Sequence, residues 1–192
     1  GMLNISGPSI KVGSAWSQGF MGYGTHIGMI EAGGIDFANP FLFGSNRLTS
    51  CAGVESSTLE NYHATKVAGV IESTHDTYRG MTYGTTLLNG TSCSYNEIDI
   101  RAAMDWIIAY GVKVVNNSWG QNSFGSPDTI SRYYDQKVKD VKVCIASAAG
   151  NCDPQCSVIS PAIAYDVMAV GGYDDHNTAN LADDTMYRQS SH

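Results

Sequence analysis

Charged residues, prolines and long apolar runs are all scarce in this sequence. Charged residues make up 15% of the 192 residues, below the roughly 25% that is typical of soluble proteins. The 11 lysines and arginines form no cluster and are outnumbered by 18 aspartates and glutamates, which argues against nucleic-acid binding because phosphates require concentrated positive charge. No apolar run approaches the roughly 18 to 20 residues that span a membrane, and no charged-then-apolar leader indicates a signal peptide.

Linkers, repeats and low-complexity segments are also missing, which predicts one soluble domain. With 43% hydrophobic residues and only 5 prolines, the chain can bury a sizeable core without a break between domains. The 5 cysteines are an odd number, so at least one thiol is unpaired unless it bridges to another chain. Cys152 and Cys156 either close a short disulfide loop or are free thiols near Asn151, since no second pair of ligands at metal-binding spacing accompanies them.

Apolar strands alternate with amphipathic helices along the chain. Apolar runs rich in β-branched residues predict the strands, whereas apolar residues at helical spacing predict the helices. The clearest helix follows Ser94 and Glu97, which have the spacing of a capping box, and ends before Gly111. The predicted elements are strand 26–30, helix 63–73, helix 98–110, strand 112–115, helix 128–139 and strand 141–149. This order predicts a three-layer α/β fold with a mostly parallel central sheet and helices on both faces.

Polar side chains follow the predicted strands, at the edge of the sheet where function gathers in such folds. Glu31 ends the first strand, Ser118–Gly120 follows the second, Asn151 follows the third, and His63 begins a helix. These residue types are the parts of acyl-transfer chemistry. A carboxylate orients an imidazole, the imidazole takes a proton from a nucleophile, and an amide N–H stabilises the oxyanion. The nucleophile itself is missing from the set.

Several segments, in the same order along the chain, resemble motifs of the subtilisin-like serine proteases, the subtilases. Several motifs in register are a specific signal, whereas one alone would be weak. The matching segments are residues 7–20 at the start of the catalytic domain, 27–33 at the strand of the catalytic aspartate, 63–69 at the histidine motif His-Gly-Thr-His-Val-Ala-Gly, 117–120 at the strand that binds the substrate backbone, 148–151 at the oxyanion-hole asparagine, and 160–171 beyond it.

The resemblance implies a serine endopeptidase that hydrolyses peptide bonds through an acyl-enzyme. On this hypothesis Glu31 orients His63, His63 acts as general base and then as general acid, and Asn151 stabilises the oxyanion. The segment Ser118–Gly120 would hold the substrate strand by backbone hydrogen bonds. The ring of Trp119 at its centre is expected to form a bulky wall near the specificity pocket.

Three residues depart from the family's motifs. Glu31 stands where the family has aspartate, so its extra methylene changes the reach toward the histidine. Asp36 is the alternative carboxylate, although Glu31 is favoured because it directly follows the apolar strand. Ala64 and Lys66 replace a glycine and a second histidine. Since Lys66 lies three positions along the helix from His63, its charge is expected to lower the imidazole pKa.

The family's nucleophile motif, Gly-Thr-Ser-x-x-x-Pro, does not occur in the sequence. Gly90–Ser92 matches only its beginning and lies where the family has a surface turn, while Ser190 and Ser191 lack the flanking glycine and proline. Residues 1–192 are therefore predicted to form a single subtilisin-like peptidase domain that is truncated before the nucleophile serine and is C-terminally incomplete. The alternative is a catalytically inactive pseudoenzyme or peptide-binding module, in which Asn151 only adopts a left-handed turn after glycine.

The resemblance also sets expectations for cofactors, partners and location. The chemistry requires no cofactor, and although structural calcium is common in the family, no acidic loop in the sequence identifies a site. The expected partner is a peptide or protein substrate, with no nucleic acid and no membrane span, and whether a pro-peptide also binds stays open. Secretion or display at the cell surface is expected from the family alone, since the chain carries no recognisable signal peptide.

Overall fold

This computed structural model describes residues 3–36, 38–42, 59–91, 96–152, 157–178 and 180–191. Five helices and seven strands occur in these ranges. In chain order they are α1 (Leu3–Ser9), α2 (Val12–Ser17), β1 (His26–Glu31), α3 (Leu59–Glu72), β2 (Thr86–Thr91), α4 (Glu97–Ala109), β3 (Val114–Asn117), α5 (Thr129–Val141), β4 (Cys144–Ala148), β5 (Met168–Val170), β6 (Tyr173–Asp174) and β7 (Thr185–Met186).

The central sheet has five parallel strands in the order β2-β1-β3-β4-β5, and β6 and β7 form a separate antiparallel pair. The predicted α/β fold with a mostly parallel sheet is thereby confirmed. The register places Ile30 opposite Asn117 and Asn117 opposite Ser147. The carboxyl ends of β1, β3 and β4 therefore meet at one edge of the sheet, which is where parallel α/β folds bind ligands.

Helices cover both faces of the sheet, as the three-layer prediction requires. Neighbouring residues of β1 point to opposite faces because side chains alternate along a strand. Ile30 packs with α4 and α5 in the larger core cluster, whereas Met29 packs with α3 in the smaller one. Ala64, which replaces the glycine of the histidine motif, is fully buried in the smaller cluster. Its methyl group therefore contributes to the core beside His63.

Some local predictions need correction. The cap of α4 is Asn96, whose Oδ1 accepts the backbone N–H of Asp99 at 2.9 Å, so the helix does not depend on the predicted capping box; Ser94 lies outside the described residues. Strand β2 was not predicted, because Asn89 and Gly90 interrupt its apolar run. Burial within the sheet outweighs their low strand propensity, since every residue from Leu87 to Thr91 is buried.

Candidate active site

Glu31 and His63 form a hydrogen-bonded pair at the carboxyl edge of the sheet. Glu31 is the last residue of β1 and is only 2% exposed, whereas the His63 side chain on α3 is 58% exposed. The imidazole Nδ1 lies 2.9 Å from the carboxylate Oε2. Because a carboxylate only accepts, Nδ1 donates in this bond, and in the neutral imidazole Nε2 is then left as the acceptor. The structure thus brings the predicted acid and base together.

The alternative acid, Asp36, makes different contacts. Its Oδ1 accepts the backbone N–H of Ala38 at 2.9 Å, and its own N–H donates to the Thr65 hydroxyl at 2.8 Å. The Asp36 carboxylate therefore closes a local turn rather than binding the histidine. Of the two carboxylates considered, only Glu31 hydrogen-bonds to His63.

One oxygen of the Glu31 carboxylate lacks a partner. Within the described part of the chain, Oε1 is buried and forms no hydrogen bond. Burial raises the pKa of the Glu31 carboxyl, and this outweighs the hydrogen bond and charge attraction of His63 and the weaker influence of Ser118 and Ala32, all of which lower it. A buried carboxylate with an unpartnered oxygen is costly, so the folded protein holds Glu31 there at the expense of stability.

The pKa of the His63 imidazole is raised. Its hydrogen bond to Glu31 is the largest cause, and the attraction between the two charges acts in the same direction. Partial burial of the ring and the positive charge of Lys66 both lower the pKa, with Lys66 the smallest of these influences. Lys66 thus acts in the predicted direction but does not decide the outcome.

The segment Ser118–Gly120 continues from the end of β3. The Ser118 N–H donates to the Ile30 carbonyl at 3.2 Å, and the Ser118 hydroxyl accepts from Asn116 Nδ2 at 2.9 Å. The Trp119 ring is 8% exposed and packs within the larger core cluster. It is therefore largely a core side chain, and the expectation that it forms a bulky wall near the specificity pocket stays a prediction. A contact of its backbone with substrate stays a prediction.

Gly120 lies where the chain passes close to a neighbouring segment. A Cβ atom at this position would lie 2.9 Å from the Ser160 carbonyl oxygen and would also collide with the Ile159 side chain. Directly after it, Gln121 and Ser160 exchange backbone hydrogen bonds of 2.8 and 3.0 Å. Glycine is therefore required for the close approach that fixes the path of this segment.

Asn151 follows β4 and its side chain is exposed. The left-handed backbone belongs to the preceding Gly150, which has φ +118°, and Asn151 is absent from the described non-glycine residues with positive φ. The alternative explanation of Asn151 as a left-handed turn residue is therefore wrong. The Gly150 carbonyl accepts the N–H of Ser191 at 3.0 Å. That bond anchors the start of the loop, while the Asn151 side chain stays open to solvent.

Ser190 and Ser191, near the end of the chain, are buried, and Ser191 lies close to Cys152. Ser190 and Ser191 are each 3% exposed, and the Ser191 hydroxyl lies 3.4 Å from both the N–H and the Sγ of Cys152. Cys152 is disulfide-bonded, so the free-thiol alternative is wrong for it, while Cys144 is free and exposed. The other three cysteines, Cys51, Cys93 and Cys156, lie outside the described residues, as does Ser92.

Across the described residues, no group of three or more histidine, cysteine, aspartate or glutamate side chains is arranged to hold a metal ion. None of the described helices combines the length and apolar character needed to cross a membrane.

A set of buried polar side chains behind the site was not predicted from the sequence. Asn117, Tyr134 and Ser147 are each at most 1% exposed, and Asn117 hydrogen-bonds to both of the others. Asn117 begins the segment 117–120, and Tyr134 lies within the predicted helix 128–139. The signal available was the polarity of Asn117 and Ser147 within otherwise apolar strands, because buried polar groups require partners.

Comparison with known proteins agrees with the architecture and the motifs. A sequence model of the Subtilase family matches residues 47–192. Among solved structures, the prenylagaramide maturation protease PagA is 23% identical with a TM-score of 0.75, and the patellamide maturation protease PatA is 22% identical with a TM-score of 0.68. A PatG macrocyclase in complex with peptide is 14% identical with a TM-score of 0.70.

These structural matches cover most of this chain but a smaller part of each relative. The match to PagA covers 94% of this chain and 62% of that protein, the match to PatA covers 88% and 61%, and the match to PatG covers 94% and 64%. At these identities the structures show a shared fold, whereas the family match rests on sequence and extends over well more than half of the chain. The chain belongs to the subtilase family.

Proposed function

We propose that this chain carries the acid, the base and the oxyanion-stabilising asparagine of a subtilisin-like serine endopeptidase. The observation that carries the proposal is the 2.9 Å hydrogen bond between His63 Nδ1 and a buried Glu31 carboxylate in a fold of this family. The bond leaves Nε2 free to accept a proton, which is the state that a general base needs.

In the proposed reaction, His63 Nε2 takes the proton of a serine hydroxyl while the serine oxygen attacks the peptide carbonyl carbon. The resulting oxyanion would accept a hydrogen bond from the Asn151 amide, which is exposed and has no described partner. His63 then returns the proton to the leaving amine. Water hydrolyses the acyl-enzyme by the same steps in the second half of the cycle.

Glu31 performs the role that aspartate has in the family. Its backbone is fixed by the central strand β1, and its buried carboxylate reaches the exposed ring of His63 through a longer side chain. The negative charge stabilises the imidazolium that forms during proton transfer. The raised pKa of His63 reflects this stabilisation and makes the imidazole a stronger base.

The nucleophilic serine is proposed to lie in sequence that follows residue 192. Among the described residues, no serine hydroxyl hydrogen-bonds to His63, and the candidates Ser190 and Ser191 are buried, Ser190 beside Gly172 and Ser191 beside Gly150 and Cys152. The substrate is proposed to be a peptide or protein strand that pairs with the backbone of Ser118–Gly120. Secretion or cell-surface display stays an expectation drawn from the family.

Labelling of the full-length protein with a fluorophosphonate probe tests this function. The parent protein should be labelled at a single serine, and labelling should be lost in His63→Ala and strongly slowed in Glu31→Gln. Asp36→Asn is the matched control, because it neutralises a nearby carboxylate that does not contact the histidine. Full labelling of His63→Ala would show that the base is assigned wrongly.

The same experiment distinguishes the pseudoenzyme alternative. A native protein without a serine in a Gly-Thr-Ser-x-x-x-Pro motif, or one that binds peptides but is never labelled, would contradict the peptidase and support a peptide-binding module. Labelling at Ser190 or Ser191 would contradict the placement of the nucleophile after residue 192.

A further inference from the structure

The end of β3 contains a buried polar network that links three elements of the fold. Asn117 is the last residue of β3, Tyr134 lies on α5 and Ser147 lies on β4. The Tyr134 hydroxyl donates to Asn117 Oδ1 at 2.8 Å, and Asn117 Nδ2 donates to the Ser147 hydroxyl at 2.9 Å and to the Trp119 carbonyl at 2.5 Å. These four groups are called the Asn117 network below.

The Trp119 carbonyl and the Tyr134 hydroxyl together hold the Asn117 amide in one orientation. An amide side chain has an acceptor on one side and a donor on the other. The Trp119 carbonyl can only accept, so the NH₂ group faces it and the Ser147 hydroxyl, and the Tyr134 hydroxyl donates to Oδ1 on the opposite side. A flipped amide would place Oδ1 against the Trp119 carbonyl oxygen, and two buried acceptors in contact are unfavourable. The tyrosine hydroxyl therefore stabilises the rotamer in which Asn117 holds the Trp119 carbonyl inward.

The Asn117 network holds the segment Ser118–Gly120, which is proposed to pair with the backbone of the substrate. Trp119 is its middle residue, and a carbonyl fixed inward defines how the flanking residues Ser118 and Gly120 present their backbone. The same helix also holds the end of the segment. Asp128, the N-cap of α5, accepts from Gln121 Nε2 at 3.1 Å and from the Ser160 hydroxyl at 2.7 Å. Helix α5 thus anchors the segment at two points.

The network also reaches the strand that leads to Asn151. Ser147 pairs in register with Asn117 across the parallel β3–β4 ladder, so both side chains lie on the same face. Asn151 lies four positions after Ser147. A single amide side chain therefore connects the segment Ser118–Gly120 with β4, the strand that leads to the proposed oxyanion donor.

We infer that Tyr134 and Asn117 are positioning residues for extended peptide substrates, because the Asn117 network fixes the Trp119 carbonyl and with it the backbone of Ser118–Gly120. This inference rests on the proposed function. It adds a specific consequence: the network matters for substrates long enough to lie along the segment. A small ester, which needs only the nucleophile, His63 and the oxyanion donor, does not depend on it.

The test compares Tyr134→Phe with Tyr133→Phe in the full-length protein. Both changes remove one hydroxyl from α5, but the Tyr133 hydroxyl bonds to the Arg101 carbonyl and the Asp105 carboxylate, away from β3. Removing the donor of a buried hydrogen bond costs a free energy that corresponds to about a five- to tenfold change in an equilibrium constant. In Tyr134→Phe, KM for an extended peptide should rise by about that factor, while hydrolysis of p-nitrophenyl acetate should change less than about twofold.

Tyr133→Phe should leave both activities unchanged. Equal losses on the peptide and on the ester in Tyr134→Phe, or a peptide KM equal to that of Tyr133→Phe, would overturn the inference. If Tyr134→Phe does not fold, Ser147→Ala replaces it, because it removes one partner of Asn117 Nδ2 and leaves the Trp119 bond. A smaller rise in peptide KM, about threefold, is expected there, and an unchanged KM would again overturn the inference.

Failure of the proposed function would give a different result from failure of this inference. If the parent hydrolyses neither substrate, the peptidase assignment fails, and binding of the same extended peptide becomes the readout. Tyr134→Phe should then weaken peptide binding relative to Tyr133→Phe, and equal binding by the two variants would contradict the positioning role.

Discussion

Two buried polar side chains, Asn117 and Glu31, lie at the same edge of the sheet but differ in how fully they are hydrogen-bonded. Asn117 is uncharged, 1% exposed and hydrogen-bonded through both its oxygen and its nitrogen. Glu31 is 2% exposed; among the described residues one of its oxygens forms no hydrogen bond, and the other holds a histidine that is open to solvent. A fully satisfied group rigidifies its surroundings, whereas an incompletely satisfied one stores unfavourable free energy. Asn117 therefore belongs to the scaffold that supports the site, whereas Glu31 and His63 form its reactive pair.

Neutralising Glu31 should have the largest effect on activity. In Glu31→Gln the amide keeps the size of the side chain but loses the charge that stabilises the imidazolium. We expect kcat to fall by about 1,000-fold or more with little change in KM, as for the loss of a triad carboxylate. Steady-state kinetics on an extended peptide measure this. An activity within tenfold of the parent would show that Glu31 is not the acid of the reaction.

Shortening Glu31 tests whether its length is matched to this site. Glu31→Asp introduces the family's own residue, but the strand and helix that set the 2.9 Å contact stay in place. The shorter side chain should leave a gap to Nδ1, and a misplacement of about 1 Å is expected to cost about 100-fold in kcat. If Glu31→Asp were as active as the parent, α3 would have to move toward the shorter side chain, and the length of Glu31 would not be matched to a fixed position of His63.

Removing the amide of Asn117 should affect stability more than chemistry. In Asn117→Ala the Tyr134 and Ser147 hydroxyls and the Trp119 carbonyl lose their common partner. We expect the free energy of unfolding to fall by about 3 kcal/mol. Asn116→Ala is the control, because Asn116 is only partly buried and its side chain hydrogen-bonds to one described residue, Ser118, and it should cost no more than about 1 kcal/mol. Urea denaturation measures both, and equal losses would remove the distinction between scaffold and site.

The pH dependence separates the two regions further, because the Glu31–His63 pair titrates and the Asn117 network has no carboxylate or histidine. The base must be neutral, and the pKa of His63 is raised above the ordinary value of a histidine. Activity should therefore be lost as pH falls through this raised pKa, at a higher pH than for an ordinary histidine. The position of the acidic limb of kcat/KM against pH measures it, and a limb at or below the ordinary histidine pKa would contradict the geometry.

The contribution of the Glu31–His63 pair to the free energy of unfolding should fall as pH rises, whereas activity rises. A raised pKa in the folded state means that the protonated pair stabilises the protein fully below the unfolded pKa of histidine, and that this contribution disappears as pH rises through the folded pKa. The raised pKa of Glu31 acts in the same direction at lower pH. His63→Gln should therefore flatten the dependence of the unfolding free energy on pH above the ordinary histidine pKa. An unchanged slope would show that the pair is not coupled to folding.

The sequence predicted the reactive pair better than the scaffold that holds it. Glu31 and His63 could be found because each lies in a local motif, one after an apolar strand and the other in a histidine motif. The Asn117 network could not be predicted, because its members lie 17 and 30 positions from Asn117 and only strand register and helix packing bring them together. The burial of Trp119 could not be predicted for the same reason, since it depends on the neighbouring helices and not on the local pattern.

The smallest expected effect concerns Lys66, whose ammonium stacks on the Tyr62 ring at 4.1 Å from the ring centroid. Its charge lowers the pKa of His63, so Lys66→Gln should raise that pKa further and move the acidic limb of kcat/KM to higher pH. Lys139→Gln removes the same charge in the last turn of α5 and should leave the limb unchanged. Because Lys66 is exposed, the shift should shrink as salt screens the interaction, over a Debye length of about 8 Å at physiological ionic strength. A shift of equal size in both variants, or one that persists in 1 M salt, would mean that Lys66 acts through the fold of α3 rather than through its charge on the base.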